Sequence, residues 1–119
     1  YDRYMSKLSG VDGLKLPKKQ EHVRKNYSYF PAVFDPELFG EDRDKVYARL
    51  ADNGIHARKY FYPITSAFEC YDGCFDVNET PVALKISERV LTLPMYADLS
   101  PDDVDRICDI VLAGRGRAY

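Results

Sequence analysis

The boundary signals of its helices leave this chain room for only short strands, and that limits most strongly what it can fold into. The clearest signal is Ser100-Pro101-Asp102-Asp103, which supplies an N-cap hydroxyl, a first-turn proline and an acidic residue at the third helical position, a capping box with Asp in place of Glu or Gln. Behind it Val104, Ile107, Cys108, Val111 and Leu112 recur on one helical face. A second helix lies in 41-EDRDKVYARLADNGI-55, with acidic residues favouring its dipole, Val46, Tyr47 and Leu50 as its apolar face, and Asn53-Gly54 as its stop. Thr80-Pro81 reads as the N-cap and first position of a third helix through Arg89, with Val82, Ile86 and Val90 in line. At the start, Tyr1, Tyr4, Met5 and Leu8 stand at helical spacing and Gly10 ends the run.

The intervening pieces are short and rich in strand-forming residues. The stretch 13-GLKLPKK-19 reads as a brief strand, confined to an edge by Pro17. In 26-NYSYFPAVFD-35, Tyr27, Tyr29 and Phe34 are spaced for a strand, Pro31 marks an edge or bulge, and Asp35-Pro36 closes it as a turn. Ile55 to Phe61 is expected to re-enter the sheet beside this strand, and 90-VLTLPMYADLS-100 to run extended until Pro94. Without regular βαβ alternation, the class expected is α+β, a small, mostly antiparallel sheet packed with helices. The whole of 1–119 is read as one domain, with 114–119 as a flexible tail because Gly114 and Gly116 interrupt the last helix.

Composition excludes several functions. Lys and Arg total 17 against 19 Asp and Glu, so no global basic field marks a nucleic-acid partner, and Lys15, Lys18, Lys19, Arg24 and Lys25 read as a solvated loop. No apolar run approaches the length of a membrane-spanning helix and the N-terminus lacks the apolar core of a signal peptide, so a cytoplasmic protein with no membrane partner is expected. Cys70, Cys74 and Cys108 are too sparse for a disulfide framework. Cys70 and Cys74 could share one helical turn, but with only His56 nearby no metal site is expected. No phosphate-loop, dinucleotide, nucleophile-elbow or zinc-protease motif occurs. His22 and His56 read as surface or edge residues, and Asp102, Asp103, Asp105 and Asp109 as a solvated helix face. The chain starts at Tyr1, inside a helix under way, which leads us to expect a piece of a longer protein.

One stretch stands apart, 55-IHARKYFYPITSAF-68. As a strand it would set Arg58, Tyr60 and Tyr62 on one face and Lys59 and Phe61 on the other. A guanidinium with two phenols suits a phosphorylated, hydroxyl-rich ligand. Burial of Tyr60 and Tyr62 in a small core, with hydroxyls at the rim, would fit the same pattern.

Taken in order, Gly54-Ile55, the run RKYFYPI, then Ser87, Arg89, Val90, Leu91, Leu93 and Pro94, and finally Leu99, Ser100, Asp103, Val104 and Ile107 resemble the C-terminal domain of the DegT/DnrJ/EryC1/StrS family of sugar-nucleotide aminotransferases. The resemblance runs along nearly the whole chain. It implies a small domain that closes over a large fold-type I domain, in a homodimer. Pyridoxal 5'-phosphate and its Schiff-base lysine would then belong mainly to the large domain, leaving no catalytic residue in this chain. By resemblance Tyr60, Phe61, Tyr62 and Pro63 would contact the nucleotide sugar, with Arg58 beside them. Many members carry histidine where Tyr60 and Thr65 stand, so this chain departs from the commoner pattern. RKYFYP is most similar to enzymes that aminate C4 of a nucleotide-linked 4-keto-6-deoxyhexose, with glutamate as amino donor, in surface polysaccharide or deoxysugar biosynthesis. A free-standing, non-enzymatic module that binds a carbohydrate or protein through its tyrosines is the other reading. A domain that normally meets a partner should expose apolar residues. Met95, Tyr96, Tyr1, Tyr4, Met5 and Leu91 are candidates, whereas Val90 and Leu93 are expected in the core.

Overall fold

The computed structural model describes residues 1–115, so residues 116–119 of the expected tail lie outside the description. The elements run α1 (Asp2–Leu8), β1 (Leu14–Lys15), β2 (Phe30–Phe34), α2 (Pro36–Phe39), α3 (Arg43–Asp52), α4 (Pro81–Arg89), β3 (Val90–Leu93) and α5 (Pro101–Leu112), with three single 3-10 turns between Thr65 and Glu79. The strands form one antiparallel sheet in the order β1-β2-β3, so the α+β class is as expected.

β2 shows why a strand forms there. Phe30, Ala32 and Phe34 are buried while Pro31 and Val33 are half-buried, the period of two that one covered face imposes. The strand is shorter than the 26–34 expected. The Asn26 side chain accepts from the Ser28 backbone N–H at 3.2 Å and Tyr27 sits at φ 54, a left-handed conformation that breaks the extended run. Pro31 does not put β2 at the edge. Its partner is Thr92, whose own N–H and carbonyl are both turned to Arg58, so Pro31 occupies a non-hydrogen-bonded pair and faces the side where β1 has already ended.

The strand expected from Ile55 to Phe61 is not beside β2. β3 takes that place, leaving α4 directly and pairing Phe30 with Leu93 through Val33 with Val90. All four residues of β3 are buried, so Leu91 joins Val90 and Leu93 in the core instead of facing a partner. Tyr4 is also core: its ring stacks on Phe30 at 4.7 Å and its hydroxyl donates to the Pro94 carbonyl at 2.9 Å. Tyr1, Met5 and Met95 pack partly against this core, and Tyr96 is exposed.

The helices close around the sheet. α5 begins as its sequence predicts, Ser100 Oγ accepting from the Asp103 N–H at 3.1 Å, and buries Val104, Ile107, Cys108 and Val111. Arg3 of α1 grips Asp105 of α5 with two hydrogen bonds, at 2.7 and 2.5 Å. α3 starts two residues later than 41, at an Asp42 cap that accepts from the Lys45 N–H at 2.8 Å, and stops at Asn53-Gly54 with Gly54 at φ 74. From it Arg49 bonds Glu41 and the carbonyls of Ile110 and Val111, tying α3 to the end of α5. Asp35-Pro36 opens the one-turn α2 instead of ending in a plain turn. Gly13 is required by space as well as conformation: a Cβ there would stand 2.2 Å from the Phe39 nitrogen. α4 departs from expectation. Thr80 makes no side-chain cap, and of the Val82, Ile86 and Val90 stripe only Val90 is buried.

Candidate functional site

The segment from Ile55 to Thr80 is built from a few anchors and long exposed spans. Ile55 and Ala57 are buried, and then Arg58 and Thr92 exchange backbone hydrogen bonds at 3.0 and 2.7 Å on the free edge of β3. This single bridge is all that remains of the expected strand. The chain turns at once, with the Tyr62 N–H donating to the Lys59 carbonyl at 2.7 Å, so the predicted alternation of Arg58, Tyr60 and Tyr62 against Lys59 and Phe61 does not occur.

Charges on α3 hold the turn in place. Lys59 pairs with Asp44 at 2.6 Å and lies over the Tyr47 ring at 4.7 Å. Asp44 also accepts from Arg43 at 2.7 Å, and these contacts, the Lys59 hydrogen bond first, hold its carboxyl below the ordinary carboxylate range. Arg43 itself is buried. Its Nη1 donates to the carbonyls of Ser87 and Val90 at 3.1 and 2.8 Å, and its guanidinium lies 5.1 Å from the centre of the Tyr62 ring.

Two of the five predicted site residues meet at one cavity. Tyr60 and Phe61 stack at 4.9 Å with 13° between ring planes, and the Tyr29 ring meets both edge-on at 5.8 and 6.4 Å. Below the pair opens a cavity of about 500 Å3, with Ile64, Ile86 and Val90 as apolar lining and Thr65, Ser66 and Thr80 as hydroxyl-bearing lining. Arg58, Tyr62 and Pro63 do not line it. Arg58 presents an exposed side chain from the β3 bridge, Tyr62 lies against Arg43, and Pro63 is exposed beyond them. An aromatic platform above apolar walls and hydroxyls can take the flat apolar face of a sugar ring and hydrogen-bond its hydroxyls.

Sequence reasoning did not single out Tyr29, Arg43 or the hydroxyls of Ser66 and Thr80 as site residues. Arg43 had a usable signal: a cation in the first turn of a helix opposes the helix dipole and so calls for acceptors elsewhere. Cys70 and Cys74 do not share a helical turn. Both thiols are exposed and free, Cys70 in a 3-10 turn and Cys74 past the turn at Gly73. Among the described residues no group of three or more His, Cys, Asp and Glu could hold a metal ion. Nor do the residues present fit pyridoxal phosphate. No lysine is buried, and Lys7 and Lys59 are committed to Asp105 and Asp44.

Comparison with known proteins places this geometry. The model of the DegT/DnrJ/EryC1/StrS aminotransferase family matches residues 1–112. The dTDP-4-amino-4,6-dideoxy-D-glucose transaminase of Escherichia coli is 36% identical over 111 residues, covering 92% of this chain and 30% of that protein. Its counterpart of the same description in Shigella dysenteriae is 32% identical, covering 91% of this chain and 29% of that protein. This chain thus spans about 30% of the length of these curated relatives. Among solved structures, DesI with its TDP-sugar product superposes with a TM-score of 0.86 at 30% identity, over 98% of this chain and 30% of that one. DesV of S. venezuelae, at 22% identity and a TM-score of 0.85 over 99% of this chain and 30% of that one, shows the same fold. No helix among the described residues is long and apolar enough to cross a membrane. With a family match from Tyr1 to Leu112 and a fold that superposes on a solved sugar aminotransferase relative with a TM-score of 0.86, this chain belongs to the DegT/DnrJ/EryC1/StrS aminotransferase family.

Proposed function

We propose that this chain is the C-terminal, substrate-side domain of a pyridoxal-phosphate-dependent transaminase, one that moves an amino group from glutamate to a nucleotide-linked keto-deoxysugar. The observation that carries this reading is the stacked Tyr60–Phe61 pair over a cavity with both apolar and hydroxyl-bearing walls. The similarity to transaminases named for dTDP-4-amino-4,6-dideoxy-D-glucose favours dTDP-4-keto-6-deoxyglucose as the acceptor. Pyridoxal phosphate, bound mainly by a large domain outside these residues, supplies the electron sink for amino transfer. This chain binds and orients the sugar: Tyr60 and Phe61 cover its ring, Thr65, Ser66 and Thr80 meet its hydroxyls, and Arg58 offers an exposed guanidinium at the approach. Tyr62 and Pro63 set the angle of the platform, with Arg43 behind the Tyr62 ring. We assign the whole enzyme to the cytoplasm as a homodimer.

The test is the visible absorption of the protein expressed from its native start codon, before and after glutamate, followed by turnover of the 4-keto sugar nucleotide. A yellow protein that bleaches with glutamate, and whose sugar turnover falls about tenfold or more in Y60A/F61A, supports the reading. A colourless protein, or turnover by these 119 residues alone, would sink it.

A further inference from the structure

The basic loop that reads from sequence as merely solvated borders two cavities. One of about 1020 Å3 opens between the loop and the start of α1, lined by Lys19, Arg24 and Lys25 together with Tyr1, Tyr27 and two carboxylates, Asp2 and Glu21. A second of about 570 Å3 shares Arg24, Lys25 and Tyr27 and continues to Lys18 and Tyr29. Tyr29 is the ring that packs edge-on against Tyr60 and Phe61, so the cationic walls and the aromatic platform meet at one side chain.

Most of the cations there have no charged partner among the described residues. From residue 15 to residue 25 five cations face one carboxylate, Glu21, in a chain of net charge -2. Among the described residues Lys18, Lys19 and Arg24 make neither an ion pair nor a side-chain hydrogen bond, whereas Arg3, Arg43, Arg49, Lys59 and Arg89 each pair with a carboxylate. Lys25 lies over the Tyr1 ring at 4.4 Å and donates to its hydroxyl, which leaves its remaining donors for a ligand. Unpaired cations lining shared cavities repel one another until an anion enters. The backbone is unusual as well, with His22 at φ 59 and Tyr27 at φ 54, conformations that non-glycine residues rarely adopt and that gather at ligand sites.

We propose that the loop is a diphosphate-binding arm. Lys19, Arg24 and Lys25 hold the diphosphate of a nucleoside diphosphate sugar, Tyr29 stands at the junction, and the sugar lies on the Tyr60–Phe61 platform. This inference rests on the reading of that platform as a sugar site. A diphosphate joined to the anomeric carbon carries its charge beside the sugar, which suits Tyr29 lining the second cavity while packing edge-on against Tyr60 and Phe61. Arg24 can meet it with two parallel donors and the lysines as point charges.

The test uses inorganic pyrophosphate, which has no sugar and so reads the arm apart from the platform. It is titrated into the 15N-labelled chain and into K19A/R24A and K45A/K85A variants, all substitutions of exposed side chains. Expected are saturable shifts confined to the amides of residues 18–29, an affinity about tenfold lower in K19A/R24A, and no change in K45A/K85A. Affinity should also fall steeply from about 50 to about 300 mM salt. Unsaturable shifts scattered over other lysines, or equal losses in the two variants, would overturn the arm. Failure of the platform reading shows up separately, as sugar-nucleotide binding that ignores Y60A/F61A while pyrophosphate binding still depends on Lys19 and Arg24.

Discussion

Aromatic rings have opposite fates in the packed body and in the segment from Tyr60 to Phe75. Tyr4, Phe30, Phe34 and Phe39 are at most 2% exposed, whereas Tyr60, Phe61, Tyr62, Phe68, Tyr71 and Phe75 are all at least 38% exposed. Residue type does not separate the two sets. The body's rings sit on helices and a strand whose period keeps one face toward the core. The segment contains only single 3-10 turns, so no period gathers its rings on a buried side. The difference teaches that aromatic content marks a core only when a regular element carries it. Elsewhere it leaves rings free to meet a ligand or a neighbouring domain.

The largest expected contrast is chemical. Cys108 lies in the body, fully buried, and burial pushes its thiol up to about 11, while Cys70 and Cys74 are exposed in the segment. Only the thiolate alkylates, and Cys108 must also wait for the fold to open. A mass-spectrometric time course with iodoacetamide should therefore show Cys70 and Cys74 modified at least about a thousandfold faster. Three equal rates would erase the distinction between the regions.

A smaller contrast is one of stability. Leu50→Ala, a fully buried site on α3, should lower the unfolding free energy by about 3 kcal/mol in urea titrations. Phe61→Ala, at 70% exposure, should change it by less than about 0.5 kcal/mol. Comparable losses would make Phe61 a core ring and remove the platform.

The smallest effect concerns the link between the regions. Asp44 is held below the ordinary carboxylate range chiefly by Lys59, so its stabilisation is fully present above that ordinary value and fades as pH falls through the lowered one. At 63% exposure, solvent screening keeps it to a few tenths of a kcal/mol. Asp44→Asn should flatten the acid limb of the stability curve by that amount. An unchanged limb would mean that Lys59 adds nothing to holding the turn.

Much of the fold was legible because it depends on neighbours in sequence. The Ser100 to Asp103 cap, the Asn53-Gly54 stop and the antiparallel, helix-packed class were all readable from spacing and turn chemistry. The candidate site was legible only as a composition. Tyr60 and Phe61 were picked out and do meet at the cavity, but the strand meant to display them shrank to the Arg58–Thr92 bridge. Its apolar and aromatic residues favour extension equally well whether or not a sheet edge is free to receive them.

The sequence by itself therefore determined where α3 ends and α5 begins, since caps, prolines and glycines act within a few residues of themselves. It did not show which face β2 would bury, because Phe30 to Phe34 is apolar throughout and the strand spacing read there was that of Tyr27, Tyr29 and Phe34. Only the tertiary structure decided that β3 would take the edge of β2, that Arg43 would be buried beneath Tyr62, and that Tyr29 would join the basic loop to the Tyr60–Phe61 pair. Those outcomes rest on which distant surfaces compete for the same edge, carbonyl or ring, and that competition is resolved only when the whole chain packs.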